Sequence, residues 1–437
     1  MVKLGEYIKS LEKLISPLAA FFVGTVFTCC AYGLLSSYLA LRLNEQAIST
    51  GAVGFVLAVY YIGYIFASLS SYKIINRVGH IRAFSTYISV LSALVLMHAL
   101  SANPWYWGLL RLLEGYCLGS AMMCLESWLN TRTSNANRGV IMSVYMITTY
   151  LGSALGQLFL NIPDPGGFVI FILVSVLYSV ALVPISLTAL PTPDISAHQS
   201  MSLKRIYGIS PVGVAGCVVS GVMVGSIYTL GAVYAQKIGL DIINTSLFMF
   251  FVIIGGMLAQ LPVGRLSDKM DRRFVLMWES GLLFLIVPWI HYFVDDGIWL
   301  LALMALLLGA ASFVMYPICV SHVNDKIEDC DRVEASGMLI LLQALGMIAG
   351  PIIISAAMQE WGALSYLLAF SIINGLFMLF CFKQIVFKPE TDYVNTTPTV
   401  PTPVAPTHVF TSLAQDDPES LHCKLRNWFK SLKSGEN

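Results

Sequence analysis

The stretch WYWGLLRLLEGYCLGSAMMCLESWLN at residues 105–130 and the stretch WLLALMALLLGAASFVMYPICVSHVN at 299–324 stand 194 positions apart. Each is an apolar run long enough to cross a bilayer, which takes about 20 residues of α-helix. Gly115 and Asn130 of the first recur as Gly309 and Asn324 of the second. The same offset carries Arg138, Gly152 and Gly156 to Arg332, Gly346 and Gly350, while Tyr32 and Tyr38 recur as Tyr228 and Tyr234 at an offset of 196. A period this long is no solenoid repeat. It marks a duplicated bundle whose two parts can rock against each other.

Composition agrees with a chain written for lipid. Hydrophobic residues make up 57% of it and charged residues 11%, with a mean hydropathy of +0.75. A soluble domain carries about 25% charged residues. Twelve apolar runs are present, at about 17–41, 52–72, 83–102, 105–129, 140–161, 167–189, 211–235, 246–264, 274–294, 298–321, 335–358 and 363–385. Barrel strands alternate polar and apolar over about ten residues, and these runs do not. The expected fold is an all-α membrane protein: twelve transmembrane helices in two pseudo-symmetric six-helix bundles. The net charge of zero gives no nucleic-acid bias. Nine cysteines, at 29, 30, 117, 124, 217, 319, 330, 381 and 423, form no C-x-x-C pair and read as small buried apolar groups.

Lys and Arg set the orientation. With the N-terminus inside, 18 basic residues fall on inside segments, and only Arg42 and Lys237 fall on outside loops. Both termini are therefore expected in the cytoplasm. Residues 1–16 form a cytoplasmic N-terminus, 17–189 a first bundle, 190–210 a linker rich in Pro and Ser, and 211–385 a second bundle. The tail 386–437 opens with TTPTVPTPVAPT (396–407), which cannot pack a core. It ends with Leu421, Leu425, Trp428, Phe429 and Leu432 on one helical face among basic residues. That face suits a short interfacial helix, although a chance pattern explains it equally.

Charge inside the spans is concentrated in run four. Arg111, Glu114 and Glu126 lie within a 120° arc at 100° per residue and extend over about 22 Å of helix. Charge at such depth is costly against lipid, so the arc should face the bundle interior. Arg111 and Glu114 are spaced to pair at i,i+3. The alternative is a buried structural pair. Glu126 could bind a cation, accept a proton or cap a neighbouring helix, whereas Glu279 is expected to pair with the cluster Arg265–Arg273. Tyr32, Tyr60, Tyr61, Tyr64, Tyr145, Gln157, Tyr228, Gln260, Tyr316, His322 and Gln343 fall on spans that would line a central cavity. Tyrosine offers apolar area with one hydroxyl, which suits a small organic ligand. Taken singly, each is as well explained by helix packing. Gly152-x-x-x-Gly156 and Gly346-x-x-x-Gly350 read as tight packing faces.

The loop after run eight reads GRLSDKMDRR, Gly264 to Arg273. Gly264 lets a helix end pack closely, Asp268 accepts from a helix N-terminus or a basic partner, and Lys269, Arg272 and Arg273 anchor the loop inside. It resembles the loop signature G-x-x-x-D-K/R-x-G-R-R/K of the major facilitator superfamily, with Asp271 in place of the second glycine. The first-half copy, YKIINRVGHIR at 72–82, keeps Arg77, Gly79 and Arg82 but has Tyr72 and Asn76 where Gly and Asp would stand. By this resemblance the loop pairs charge across cytoplasmic helix ends, mainly on the second half. R-L-L-E-G at 111–115 likewise resembles the superfamily's R-x-x-x-G signature, which implies proton coupling through Arg111 with Glu114 as proton carrier. LES (125–127), NRG (137–139), YLGSALGQ (150–157), GCVVSGVMVGSIY (216–228) and AQLPVGRLSDK (259–269) resemble the YcaD-type branch of bacterial transporters.

The resemblance, over about 17–385, implies a secondary active transporter of the bacterial inner membrane. It would move a small organic solute by alternating access, coupled to protons. The rivals are a drug or metabolite efflux pump of the same fold and a transporter-like sensor or scaffold acting through its tail. No nucleotide-binding loop, metal cluster or nucleophile constellation is apparent, so no enzyme activity, cofactor or metal is expected. The expected partners are the solute, protons and the lipid bilayer, with no nucleic acid, and the chain is expected to be a monomer.

Overall fold

The computed structural model describes residues 18–46, 48–132, 138–187, 201–292, 297–327 and 331–387. The N-terminal segment, most of the expected linker and the Pro/Thr-rich tail with its basic amphipathic stretch lie outside them. The first six long helices are α1 (Ala19–Glu45), α2 (Thr50–Val78), α3 (His80–Met97), α4 (Pro104–Arg132), α5 (Arg138–Leu158) and α6 (Val169–Ser186). A short helix, α7 (Leu203–Ile209), then leads into α8 (Pro211–Lys237), α9 (Ile242–Ser267), α10 (Arg272–Ile286), α11 (Ile298–Asn324), α12 (Arg332–Trp361) and α13 (Leu364–Phe387). The twelve long helices fall on the twelve apolar runs. Some start before them because capping side chains carry the helix into polar sequence: Ser49 accepts from Ala52 N and Asp241 from Asn244 N, while Ser210, accepting from Gly213 N, starts α8 at the first residue of its run. Each cap satisfies one of the free N–H groups at a helix start.

The duplication is repeated in the packing. A methyl group on Gly115 of α4 would run into the backbone carbonyl of Tyr60 on α2, and one on Gly309 of α11 into that of Val252 on α9. Gly152 and Gly156 press α5 on the backbone of α1 at Val26 and Cys30, and Gly346 and Gly350 press α12 on α8 at Val218 and Val222. In lipid, helices gain little from the hydrophobic effect, so close backbone approach through glycine is what holds such pairs.

The offset relates α1 to α8, α2 to α9 and α5 to α12. The two bundles meet where α2 packs on α12 and α5 on α9, which is one contact made twice, and where α1 faces α8. Three hydrogen bonds join the bundles at the end away from the basic loops: Asn44 Nδ2 to Gln236 Oε1 at 3.3 Å, Gly51 N to Gln359 Oε1 at 3.2 Å and Asn161 Nδ2 to Ser246 Oγ at 2.9 Å. The seven described cysteines are buried and free.

Candidate functional site

The site builds from α4. The Arg111 and Glu114 side chains are 2% and 1% exposed, and Arg111 Nη1 donates to Glu114 Oε2 at 2.9 Å. The guanidinium also lies over the Tyr60 ring, 4.4 Å from its centroid. That contact follows from the glycine crossing, since Gly115 and Gly63 bring α2 and α4 into backbone contact beside Tyr60. Arg111 thus has a carboxylate on one side and a π face on the other, and both arrangements favour a cation away from water.

Sequence reasoning missed His98. Its Nδ1 stands 3.5 Å from Glu114 Oε1 and 3.2 Å from the Leu94 carbonyl oxygen. The ring stacks on Phe171, with centroids 5.6 Å apart, and meets Trp107 edge-on. Trp107 Nε1 donates to the Ser101 carbonyl at 2.6 Å and so fixes the turn that ends α3. The available signal was a histidine at the end of an apolar run, joined to α4 by a short loop. Glu126 is not part of this group. It lies further along α4 and accepts a 2.9 Å hydrogen bond from Tyr145 OH.

Four of the tyrosines expected along the cavity, Tyr32, Tyr60, Tyr64 and Tyr228, form a chain across the bundle interface. Tyr32 on α1 packs against Tyr60 at 5.5 Å and against Tyr228 of the second bundle at 5.6 Å. Tyr64 stacks beyond Tyr60 at 6.4 Å, and Tyr228 meets Phe313. The Tyr60 and Tyr64 hydroxyls are buried with no hydrogen-bond partner. Tyr316 is buried at 2% exposure on α11. Gln260 Nε2 reaches Tyr150 OH across the interface at 3.2 Å. The other two glutamines tie helices within one bundle. Gln157 accepts from Ser37 Oγ and donates to the Gly33 carbonyl, and Gln343 Nε2 lies 3.5 Å from Ser220 Oγ.

At the basic end, Arg272 is the centre of the loop. Its Nε donates to Asp325 Oδ2 at 2.6 Å, Nη1 to Ser267 Oγ at 2.6 Å and Nη2 to Asp268 Oδ1 at 3.0 Å. Arg273 pairs with Asp271 at 2.8 Å and donates to the Gln384 carbonyl. The residue standing where the signature has glycine is thus a carboxylate that caps α10 and holds the second arginine. Gly264, Ser267, Asp268 and Arg272 line a small crevice of about 10 Å³, and Lys269 lies exposed in the turn. Gly79 sits at φ +88° between α2 and α3, where glycine alone is relaxed, and Arg77 ends α2 as an exposed side chain. These described pairs join α9, α10, α11 and α13 to one another rather than one bundle to the other. Asp325, the strongest partner, lies outside the loop signature and was not singled out in the sequence. Glu279 overturns one expectation: it is buried and neither carboxylate oxygen has a hydrogen-bond partner, because Arg272 and Arg273 turn to the aspartates.

This fold, with a buried charge pair at the heart of the first bundle and a charged loop at the end of the second, is that of a multi-pass membrane transporter family. The family model of the Major Facilitator Superfamily matches residues 21–293 and 246–418, and the chain belongs to that family. It is 24% identical over 376 residues to the uncharacterized MFS-type transporter YcaD of Escherichia coli (strain K12 / DH10B), covering 86% of this chain and 97% of that one. Among solved structures it is similar to a mutant form of the nucleoside transporter NupG, with a TM-score of 0.71 and 13% identity over 84% of this chain and 99% of that one. It is also similar to a bacterial homolog of the human lysosomal transporter Spinster in an inward-facing and occupied conformation (TM-score 0.68, 13% identity, 85% and 97% covered). At such identities these structures speak for the fold.

Proposed function

We propose that this protein is a secondary active transporter that moves a small organic solute across a bacterial inner membrane by alternating access, driven by protons. The observation that carries this is the Arg111–Glu114 pair, buried beside His98 and under the chain of tyrosines that crosses the bundle interface. Such a pair is costly to keep in the membrane interior for packing alone, and well-packed apolar residues would serve as well. Its second-half counterparts at the repeat offset, Ala305 and Leu308, are apolar. Protonating Glu114 removes the charge partner of Arg111, leaving a cation that must turn to Tyr60 or to a bound solute. That is how a proton can change the balance between two bundle arrangements.

Orientation follows from the basic loops, which the positive-inside rule puts in the cytoplasm. Asn44, Gly51 and Asn161 then latch the bundles at the outer side. His98 lies at the outer end of its helix, between Glu114 and that side, and serves as the proton's way in. A thermal-shift screen of the purified protein against a metabolite library identifies a solute, and proteoliposomes then test coupling. Glu114→Gln abolishes proton-driven accumulation while solute exchange continues. His98→Gln slows accumulation and leaves exchange near wild type. Accumulation at the wild-type level in Glu114→Gln would sink the assignment.

A further inference from the structure

A further hydrogen bond between the bundles lies deeper in the spans than the three at the outer end. Gln260 on α9 donates from Nε2 to Tyr150 OH on α5 at 3.2 Å. The same nitrogen donates to the Phe313 carbonyl oxygen on α11 at 3.4 Å. An amide has two N–H groups, one for each acceptor. The Phe313 carbonyl is open to it because Pro317, four residues on inside α11, has no N–H to return. Gly256, one turn before Gln260, leaves the space against α9 that the Phe313 ring fills. That ring meets Tyr150 edge-on at 5.7 Å and Tyr228 edge-on at 5.8 Å. The far end of α11 is fastened separately, through Asp325 to Arg272, and Pro317 lies between the two anchor points. Gln260, Pro317 and Arg272 border the same crevice, which has room for about one water molecule. The first bundle has no such joint: at the repeat offset Met123 stands opposite Pro317, Phe66 opposite Gln260 and Gly119 opposite Phe313.

We propose that α11 bends at Pro317 as the bundles rock, and that Gln260 is the positioning residue that ties this bend to the contact with Tyr150. A helix is softest where proline interrupts its hydrogen-bond ladder. In the present arrangement Gln260 gives the freed carbonyl the hydrogen it lacks and holds the first bundle with its other one. When Tyr150 withdraws, the amide loses an acceptor in the membrane interior, where an unsatisfied donor is costly. The side chain must then turn, and its hold on the Phe313 carbonyl changes with it. Because the Phe313 ring touches Tyr228, the bend also moves the second-bundle end of the tyrosine chain. The inference rests on alternating access, but not on which solute or ion is carried.

The test is double electron–electron resonance on the full-length protein in lipid nanodiscs. Spin labels are attached through p-acetylphenylalanine at Ala102 and Glu360, which are exposed at the outer ends of the two bundles, so the native cysteines stay untouched. The wild type should show two distances, the shorter belonging to the arrangement described here. Tyr150→Phe removes only the hydroxyl, Gln260→Leu only the amide, and Pro317→Ala restores the N–H that competes for the Phe313 carbonyl. Each should lower the ratio of short to long distance at least threefold. Tyr150→Phe with Gln260→Leu should go no further than the stronger single change. Pro317→Ala should unfold no lower than wild type, since it completes the helix ladder, so its shift cannot come from lost stability. A shift in Gln260→Leu alone makes the residue a packing group and overturns the proposal. A shift in Tyr150→Phe and Gln260→Leu without one in Pro317→Ala leaves a bundle contact with no bend, and additive effects in the double variant leave two unrelated contacts; both overturn it. One wild-type distance at every pH overturns alternating access and this inference with it, whereas two distances indifferent to the variants overturn this inference alone.

Discussion

The guanidinium carbon of Arg111 lies 4.4 Å from the centre of the Tyr60 ring, on the neighbouring helix. A desolvated contact of this kind contributes about 2 kcal/mol. Tyr60→Phe keeps the ring and should leave the site assembled, whereas Tyr60→Leu removes the face and loses roughly that amount. Thermal unfolding of the two variants in detergent separates them. Equal stability of the Leu and Phe variants would show that the ring does not hold the cation.

Arg272 and Asp325 make the strongest described ion pair at the basic end, with both side chains 9% exposed. Removing one member of a buried pair costs about 3–5 kcal/mol because the other charge stays buried alone. Arg272→Ala should therefore unfold at a clearly lower temperature. Asp325→Asn should cost less, since Arg272 keeps Asp268. The reverse order would mean that Asp268 does not hold Arg272 once Asp325 is neutral.

Gly115 and Gly309 occupy equivalent crossings in the two bundles, each facing a backbone carbonyl. Overpacking of this kind costs about 1–3 kcal/mol, and more where backbone must move. Gly115→Ala and Gly309→Ala should destabilise to a similar degree. Gly108→Ala, with open space around it, should not. A thermal melt of all three, with Gly108→Ala falling as far as the others, would refute a packing origin.

Asp164 lies in the loop between α5 and α6. Burial raises its carboxyl, but the hydrogen bonds from Tyr38 and from the backbone N–H groups of Val169, Ile170 and Phe168 outweigh it and hold the group below the usual carboxylate range. A depressed folded value stabilises the protein above the unfolded carboxylate pKa of about 3.9, and this is lost as pH falls through the folded value. Wild-type melting temperature should therefore drop on acidification below pH of about 4, beyond what Asp164→Asn shows over the same range. Parallel curves would remove Asp164 as the source.

Much of the architecture was legible because a membrane helix announces itself locally. Twenty apolar residues in a row have no other use in a chain this poor in charge, and the 194-residue echo of Gly115 in Gly309 exposed the duplication. The helical wheel put Arg111 and Glu114 on one face. Their neighbours could not be read in the same way, because His98 and Tyr60 come from other helices and no spacing rule links them to α4. Glu279 shows the limit in the other direction: its place beside a basic cluster suggested a salt bridge, yet the aspartates at 268, 271 and 325 take those arginines first.

The sequence by itself determined the class of protein, the number and positions of the spans, the duplication and the placement of buried charge in the first half, since each is a property of one helix or of a repeat along the chain. Only the tertiary structure decided which groups meet: Arg111 with Tyr60, Glu114 with His98, Arg272 with Asp325, and Glu279 with none. Partnership in the membrane interior depends on how helices cross. Those crossings are set by glycines pressing one backbone on another, at distances no linear pattern records.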